Sequence, residues 1–332
     1  MRSIAVTFPS PGKCEVRELD TPPVGSTVGS TNVGVRLTRS AISTGTERYV
    51  LLGQRPEVVF PCVPGYQSVG VIEEVGGGVE GRQVGQRVTA GRSHLPQGYN
   101  EGCGSAHISP TVYKASWTEI IPDSVSDDAA AFAWLIAVAM QGIGLTSPKP
   151  GELVVVVRQG VIGQRAVRLA LDRGADVVAI DLDDRRLELS RTGGATQAIN
   201  ASKVDTVTAP KEVKPEGADV VIEVTGNPDV VPTAMKLCAH RARFAFQSWY
   251  PGDIAFYYDD AHHNELTPHS PCGWGGGDGL RSELKILETG RVDVLPLISH
   301  RESAANDAKL YRLLLESPQE MLEGLIVWDD DE

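Results

Sequence analysis

Short segments rich in hydrophobic and β-branched residues alternate with Gly and Pro over the first 120 residues of the chain. Four of these segments predict β-strands, at 3–8, 32–42, 67–75 and 85–90. Gly and Pro between such segments are typical of turns and loops. This spacing predicts a compact β-rich domain with long functional loops, which we place at residues 1–122.

The hydrophobic pattern changes near residue 123. Asp and Ser residues suited to a helix N-terminus come first, and the following segment, 129–140, is apolar nearly all round, as in a buried helix. From residue 151 strands alternate with helices, which predicts a doubly wound parallel sheet over 123–270. The predicted strands lie at 152–157, 175–180, 218–224 and 243–248.

One predicted helix, at 161–173, has a clear apolar face. Ile162, Ala166, Leu169 and Ala170 lie on this face. The charged residues lie elsewhere on the helix, and Gly174 suits its C-terminal end. These charged residues are Arg165, Arg168, Asp172 and Arg173.

The last 60 residues return to a mixed pattern. Helices are predicted near 281–290 and 303–316, and strands at 294–299 and 324–328. The α/β domain at 123–270 therefore interrupts a β-rich domain made of 1–122 and 271–332. The glycine-rich segment 272–279 is interpreted as a flexible ligand loop or as a plain hinge, and the acidic tail 329–332 as a solvated terminus.

Composition and charge narrow the class of protein. The 332 residues are 41% hydrophobic and 22% charged, which is ordinary for a globular protein. A net charge of −12 disfavours nonspecific binding to nucleic acid or to anionic membranes. The longest apolar segment is too short to cross a bilayer, and the N-terminus lacks a secretory signal. The five cysteines form no disulfide framework, so we expect a cytoplasmic protein.

A glycine-containing turn at 158–164 lies between a predicted strand and a predicted helix. Gly160 lets the backbone approach a pyrophosphate, and Gly163 lets the helix pack on the strand. Twenty-one residues after Gly160, Asp181 ends the next strand, where a carboxylate can bind the hydroxyls of an adenosine ribose. The pattern predicts a dinucleotide site, with a purely structural turn as the alternative.

Arg158 stands at the position of the first glycine in the GxGxxG pattern that is typical of dinucleotide-binding turns. Because neighbouring strand ends lie about 5 Å apart, Arg158 can pair with Asp181 and weaken the rejection of a 2′-phosphate. The cofactor is predicted to be NAD or NADP, with NAD favoured. The predicted cofactor-binding residues are Arg158, Gln159, Gly160, Val161, Ile162, Gly163, Asp181, Arg186, Thr225 and Ser248.

With this turn placed after a β-rich module, the chain resembles the medium-chain dehydrogenase/reductase superfamily over nearly its whole length. The motifs that carry the resemblance are STGTE (43–47), PGYQSVGVIEEVG (64–76), GADVVIEVTG (217–226) and LETGRVDVLPLISH (287–300). The resemblance implies a Rossmann domain inserted into a GroES-like catalytic domain. It also implies an active site in the cleft between them, and a homodimer.

The zinc ligands of many members are missing from the matching positions. The family's Cys position is Thr44, and its His-Glu pair is Tyr66 and Gln67. Hydroxyl groups are poor zinc ligands beside a thiolate or an imidazole. Only Cys103 lies in the region of the four-cysteine structural lobe, with His94 and His107 near it. We therefore predict no catalytic zinc and no other metal.

Without zinc, a hydroxyl group must supply the proton during carbonyl reduction. The predicted catalytic residues are Thr44, Thr46, Glu47 and Tyr66, with Tyr66 or Thr46 as donor and Glu47 as orienting group. Glu47 and Tyr49 can extend the chain toward solvent. In the alternative interpretation, Tyr66 only fills the space left by the metal.

The predicted function is a zinc-independent NAD(P)-dependent oxidoreductase that interconverts a ketone and a secondary alcohol on a polar small molecule, such as a sugar or an aminocyclitol. STGTER and PGY are similar to a branch that includes bacteriochlorophyllide dehydrogenases, so that activity is one alternative. The others are a quinone or enone C=C reductase and a non-catalytic dinucleotide-binding protein that acts on a partner. A polar loop either binds the substrate or is solvated; it contains Asp259, Asp260, His262, His263 and Glu265.

Overall fold

The computed structural model describes residues 1–25, 30–273, 280–306 and 308–329, and in it the chain forms two compact units. Met1–Trp134 and the described part of Gly277–Glu332 make up the first, which we call the β-rich unit. Leu135–Gly276 makes up the second, which we call the α/β unit. Most of the glycine-rich segment 272–279, and Asp330, Asp331 and Glu332 of the acidic tail, lie outside the described residues.

The β-rich unit contains two sheets. The first has the strand order β2 (Lys13–Asp20), β1 (Arg2–Ser10), β4 (Cys62–Pro64), β7 (Asn100–Gly102), with β8 (Ile108–Ser109) also paired to β1. The second has the order β10 (Glu119–Ile120), β6 (Arg87–Ala90), β5 (Ser68–Val75), β3 (Asn32–Ile42), β18 (Glu323–Val327), β17 (Ile298–Ser303), with β9 (Thr111–Lys114) also paired to β3. The C-terminal strand therefore completes a sheet that begins near the N-terminus, as expected for a GroES-like domain.

The helices of the β-rich unit are short. They are α1 (Thr46–Leu51), α2 (Asp127–Ala130), α8 (Arg281–Glu288) and α9 (Ala308–Glu316). Helix α3 (Ala133–Thr146) begins in this unit and continues into the next. None of the helices within the described ranges has the length and apolar character needed to cross a membrane.

The α/β unit has one parallel sheet. Its order is β13 (Gln197–Asn200), β12 (Asp176–Asp181), β11 (Leu153–Val157), β14 (Ala218–Glu223), β15 (Cys238–Phe246), β16 (Thr267–His269). The connecting helices include α4 (Val161–Asp172), α5 (Asp184–Thr192), α6 (Val231–Met235) and α7 (Tyr258–His262). This is the Rossmann strand order, so the predicted doubly wound sheet is confirmed.

The predicted strand at 294–299 begins later than expected. A short 3-10 helix covers Leu295–Leu297, and β17 starts at Ile298. Pro296 has no N–H group to donate to a strand ladder, which accounts for the later start.

Two charged helical residues expected to lie off the buried face are buried. Arg165 is fully buried and Arg168 is 8% exposed. The guanidinium of Arg165 donates to the carbonyl oxygen of Val161 at 2.8 Å, and that of Arg168 to Oε1 of Gln164 at 2.9 Å. Each guanidinium therefore has a polar partner one turn earlier in the same helix.

Asp329 is not a solvated terminal residue. Its carboxylate is 16% exposed and contacts the guanidinium of Arg39, which also donates to Asp128 at 2.8 Å. Asp128 in turn accepts from Arg301 at 2.5 Å. The end of the described chain is therefore fixed to β3 by a network of ion pairs.

Candidate active site

The turn between β11 and α4 requires glycine at position 163. A Cβ atom on Gly163 would lie 1.9 Å from the carbonyl oxygen of Arg158, a distance that no side chain tolerates. A Cβ atom on Gly160, by contrast, would meet Nε of Arg158 at 3.8 Å and Nη1 of Arg186 at 4.0 Å. The backbone at Gly160 is therefore open to a ligand, at the N-terminus of a 12-residue helix whose N–H groups favour phosphate.

Asp181 is fixed beside this turn by backbone amides. Its Oδ2 atom accepts from the N–H of Gln159 at 2.6 Å, and its Oδ1 atom accepts from Leu182 and Asp183 at 2.7 and 2.9 Å. Three backbone donors therefore hold the carboxylate in one orientation. Because Oδ2 accepts one bond, a lone pair on it is left for a ribose hydroxyl.

The predicted ion pair between Arg158 and Asp181 does not form. Arg158 has a φ of +81°, and its Nη1 atom donates to the carbonyl oxygen of Thr225 at 2.8 Å. The guanidinium is therefore held at the end of β14, while the carboxylate of Asp181 is held by the backbone of the turn.

Arg186 adds a second positive charge near Gly160. Burial lowers the pKa of Arg186, and the charge of Arg158 lowers it further, whereas Asp181 raises it. Two guanidinium groups thus lie close to the open backbone of the turn. An anionic ligand bound there would offset their mutual repulsion.

The side chain of Gln159 makes its hydrogen bonds within the protein. The side chain is fully buried, and its amide donates to the carbonyl oxygen of Val156 at 2.9 Å and accepts from the hydroxyl of Ser190 at 3.0 Å. These bonds hold α5 against the turn. Val161 is also buried, and Ile162 is half-buried.

Thr225 and Ser248 lie at the carboxyl edge of the parallel sheet. The N–H of Thr225 donates to Glu223 Oε1 at 2.7 Å, and the hydroxyl of Tyr250 contacts Glu223 Oε2. Burial raises the pKa of Glu223, and the hydrogen bonds from Thr225 and Tyr250 oppose this shift. A Cβ atom on Gly226 would lie 3.6 Å from that of Ser248, so the two loops meet. The edge of β14 and β15 therefore adjoins the turn.

In the β-rich unit, Tyr66 is buried and hydrogen-bonded. The side chain is 5% exposed, and its hydroxyl donates to Oγ of Ser43 at 2.8 Å. Thr44 is half-buried, with its hydroxyl 3.5 Å from the carbonyl oxygen of Leu322, and Thr46 begins α1. Of the four predicted catalytic residues, Thr44, Thr46 and Glu47 therefore lie in one segment. Tyr66 contacts that segment through Ser43.

Glu47 lies inside the β-rich unit, in a group of side chains that we call the buried cluster. Oε1 of Glu47 accepts from the N–H of Ser43 at 2.8 Å. Oε2 lies 3.1 Å from Nε2 of His107 and also contacts the hydroxyl of Tyr311. The cluster comprises Ser40, Glu47, His107, Tyr311 and Trp328.

Both ring nitrogens of the histidine in the buried cluster have a polar partner. Nδ1 of His107 lies 2.8 Å from Oγ of Ser40, which accepts from Nε1 of Trp328 at 2.8 Å. Nε2 lies against Oε2 of Glu47, and the side chains of His107 and Glu47 are both fully buried. The ring therefore links Ser40 to Glu47 across the interior of the unit.

The expected path from Glu47 toward solvent is wrong. The carboxylate points inward, because donors from three different segments surround it. Sequence reasoning also missed Ser43, although it begins the STGTE motif. His107 and Tyr311 lie 60 and 264 residues from Glu47, and no local pattern connects them.

The packing of His107 explains why the residue before Tyr66 is a glycine, Gly65. A Cβ atom there would lie 2.3 Å from Nε2 of His107, and Gly65 has a φ of +90°. The histidine ring thus occupies the space against this backbone. It positions both the buried cluster and the segment that carries Tyr66.

The polar residues considered in the zinc comparison are dispersed in the structure. Gln67 is fully buried and donates to the carbonyl oxygen of Ala41 at 3.2 Å. His94 lies 3.3 Å from the Asn32 amide, and Sγ of Cys103 lies 4.0 Å from Glu57. Within the described ranges, no three His, Cys, Asp or Glu side chains are grouped so as to hold a metal ion.

The polar segment after β15, predicted as a loop, includes the short helix α7, and its side chains make local contacts. His262 stacks on Tyr258 with ring centroids 5.1 Å apart, and Glu265 accepts from Arg241 at 2.7 Å. His263 lies 3.8 Å from Asp259. These side chains are mostly exposed, which agrees with the solvated-loop interpretation.

Similarity to known proteins places the chain in a family. Residues 29–120 match the family described as Alcohol dehydrogenase GroES-like domain, and residues 161–270 match Zinc-binding dehydrogenase. An L-threonine 3-dehydrogenase from Anaeromyxobacter sp. (strain Fw109-5) is 30% identical over 298 residues, which cover 82% of this chain and 85% of the relative. The chain belongs to the medium-chain dehydrogenase/reductase superfamily.

Solved structures agree with this superfamily fold. An Escherichia coli oxidoreductase/dehydrogenase of unknown specificity superposes with a TM-score of 0.88 at 19% identity, covering 99% of this chain and 100% of that one. An alcohol dehydrogenase from Escherichia coli CFT073, complexed with NADH, has a TM-score of 0.85 at 21% identity, with coverages of 98% and 99%. As a medium-chain dehydrogenase/reductase, the protein is an oxidoreductase that depends on a nicotinamide cofactor.

Proposed function

We propose that this protein is a zinc-independent oxidoreductase that interconverts a ketone and a secondary alcohol, with the hydroxyl of Tyr66 as proton donor. The observation that carries this proposal is the hydrogen bond between Tyr66 and Ser43 in a buried site. Tyr66 occupies the position at which zinc-type members, by resemblance, have a histidine ligand. A phenol hydroxyl there can protonate the oxygen of a carbonyl group as it gains charge.

The donor set argues against a zinc ion at this position. The positions of the family's Cys and His-Glu pair hold a threonine, a tyrosine and a glutamine amide, none of which is a preferred zinc ligand. The third ligand region, near 133–140, contains no Cys, His, Asp or Glu. The nearby imidazole of His107 is committed to Ser40 and Glu47. No catalytic step is therefore assigned to a metal.

A nicotinamide dinucleotide fits the residues of the α/β unit. The open backbone at Gly160, with Arg158 and Arg186 beside it, would hold the pyrophosphate. Asp181 would accept a ribose hydroxyl through Oδ2, and its negative charge favours NAD over NADP. When bound, the nicotinamide supplies or accepts the hydride. The residues of this chain orient the cofactor and transfer the proton.

The substrate is proposed to be a polar small molecule with a secondary alcohol, such as a sugar, an aminocyclitol or another specialised metabolite. The relatives include enzymes named L-threonine 3-dehydrogenase, and L-threonine therefore belongs in the first panel of compounds. Membership of this superfamily argues against the alternative of a non-catalytic dinucleotide-binding protein. The homodimer and the cytoplasmic location stay predictions.

The test uses purified protein of known metal content, with NADH and NADPH against ketones and enones and with NAD and NADP against secondary alcohols. We expect turnover of ketones and alcohols without stoichiometric zinc, and a loss of about 100-fold in Tyr66→Phe. The matched control is Tyr113→Phe, because Tyr113 is also buried against a serine hydroxyl, at 3.0 Å from Ser68. Activity restricted to enones, or restored only by zinc, would contradict the proposal.

A further inference from the structure

We propose that the hydroxyl of Ser43 tunes the acidity of Tyr66 by reversing the direction of their shared hydrogen bond. In the resting site Ser43 accepts from the phenol, and once Tyr66 has lost its proton Ser43 donates to the phenolate oxygen. This inference rests on the proposed function of Tyr66 as proton donor. It assigns a separate role to Ser43, the first residue of the STGTE segment.

The first support is the freedom of the Ser43 hydroxyl. Ser43 is 3% exposed, so water has little access to it. In the part of the chain that the structure describes, Tyr66 supplies the one hydrogen bond to Ser43 Oγ, at 2.8 Å. The proton of Ser43 therefore has no competing acceptor there, and the hydroxyl can rotate toward Tyr66.

The second support is the way in which Ser43 is held. Its N–H donates to Oε1 of Glu47 at 2.8 Å, and its carbonyl oxygen accepts from the N–H of Glu47 at 2.9 Å. Glu47 is fixed in turn by His107 and Tyr311. Glu47 and His107 are thus positioning residues. With Tyr311, whose hydroxyl contacts Glu47, they are titratable side chains that the described structure places next to this segment.

In the proposed proton transfer, each bond that breaks is matched by a bond that forms. During reduction the carbonyl carbon accepts a hydride, and the π electron pair moves to the carbonyl oxygen. The O–H bond of Tyr66 breaks and a new O–H bond forms on that oxygen. Ser43 keeps its own O–H bond and only changes its direction, so that it stabilises the phenolate until water returns a proton. During oxidation of an alcohol, the same contact stabilises the phenolate as the base.

The experiment compares Ser43→Ala, Ser43→Thr and Ser68→Ala across a pH series of alcohol oxidation. A hydrogen bond to a charged oxygen is worth enough to change a rate by about tenfold and a pKa by about one unit. We expect Ser43→Ala to lower kcat about tenfold and to move the rise of kcat with pH upward by about one unit. Ser43→Thr, which keeps the hydroxyl, should restore both. Ser68→Ala removes an equivalent buried serine beside Tyr113 and should change neither.

The outcomes separate the two proposals. An unchanged rate in Tyr66→Phe would refute Tyr66 as donor. An inactive Tyr66→Phe together with a wild-type rate and pH profile in Ser43→Ala would overturn the role of Ser43 alone. If Ser43→Ala does not fold, Ser43→Cys serves instead, because a thiol is a weak donor. Ultraviolet titration of the tyrosinate in the holoenzyme, against Tyr66→Phe, gives a readout that does not depend on turnover.

Discussion

Nε2 of His107 lies 3.1 Å from Oε2 of Glu47, and both side chains are fully buried. Removing one member of such a pair leaves buried polar atoms without a partner. We predict that Glu47→Ala lowers the free energy of unfolding by about 3 kcal/mol or more. Urea denaturation measures this loss.

The matched control for Glu47 is Glu18→Ala. Glu18 pairs with Arg2 at 3.7 Å on the surface, where both side chains are more than two-thirds exposed. Its loss should cost less than about 1 kcal/mol. Equal losses in the two variants would mean that the buried cluster contributes no more than a surface pair.

Gly65→Ala is predicted to destabilise the protein more than Gly81→Ala. Both glycines have positive φ, at +90° and +72°, so both variants incur backbone strain of roughly 1–2 kcal/mol. Only at Gly65 would the new Cβ atom clash with another group, at 2.3 Å from Nε2 of His107, whereas at Gly81 nothing lies within 4 Å. Thermal unfolding of both variants isolates the steric part, and identical midpoints would contradict it.

Substitution by alanine should have different effects at the two glycines of the turn between β11 and α4. Gly163→Ala places a Cβ atom 1.9 Å from the backbone of Arg158 and should destabilise the α/β unit. Gly160→Ala meets no atom closer than 3.8 Å and should leave the fold unchanged. It should nevertheless weaken cofactor affinity about tenfold or more, because a pyrophosphate must approach this backbone. Tryptophan-fluorescence titration with NADH and circular dichroism test both parts.

Asp181→Ala is predicted to narrow the difference in affinity between NADH and NADPH. The variant removes an acceptor for the ribose hydroxyl and a negative charge that repels a 2′-phosphate. We expect NADH binding to weaken about tenfold, while NADPH binding is retained or improved. Asp184→Ala is the control, because Asp184 is exposed and pairs with Lys203 at 2.5 Å. The same response in both variants would remove Asp181 from the cofactor site.

The buried thiols should make the protein sensitive to alkali. Burial raises the pKa of Cys62 and of Cys238 to about 12, from 9.0. An acid whose folded-state pKa is raised contributes stability below its unfolded pKa and loses it as pH increases toward the folded value. We therefore expect the free energy of unfolding to fall between about pH 9 and 12. The decrease should be less steep in Cys62→Ala, when its free energy of unfolding at each pH is compared with the value of the same variant at pH 7.

Thiol reactivity gives an independent check of that burial. All five cysteines are free, and Cys272 is exposed. At pH 8, a disulfide reagent should modify Cys272 before Cys62 and Cys238, because the thiolate is the reactive form. Modification of all five at one rate in the native protein would contradict this order.

Local patterns predicted the backbone of this protein well where neighbours in sequence are also neighbours in the fold. The strand predicted at 32–42 coincides with β3, and the helix predicted at 161–173 ends one residue beyond α4. The strand–turn–helix at Gly160 needs only adjacent residues and was recognised from them. The distal Asp181 follows from the fixed length of the unit.

The site chemistry depends on contacts that no local pattern encodes. The sequence associates His107 only with Cys103 and His94 nearby, because its partners Ser40 and Glu47 belong to other segments. The burial of Arg165 was not predicted, for a different reason. A helical pattern places an arginine away from the core, whereas Arg165 is fully buried and donates to the carbonyl oxygen of Val161, one turn earlier in the same helix.

The position of β18 between β3 and β17 has a consequence for biosynthesis. The last strand of the parallel sheet, β16, has been made once the ribosome passes His269, so the α/β unit can fold while synthesis continues. Strand β3 can pair early with β5 and β9, but its pairing with β18 must await Gly324–Val327, which pair with Ile42–Arg39. Because Trp328 donates to Ser40 in the buried cluster, a nascent chain can complete the turn at Gly160 well before it acquires the support of the residues proposed to transfer the proton.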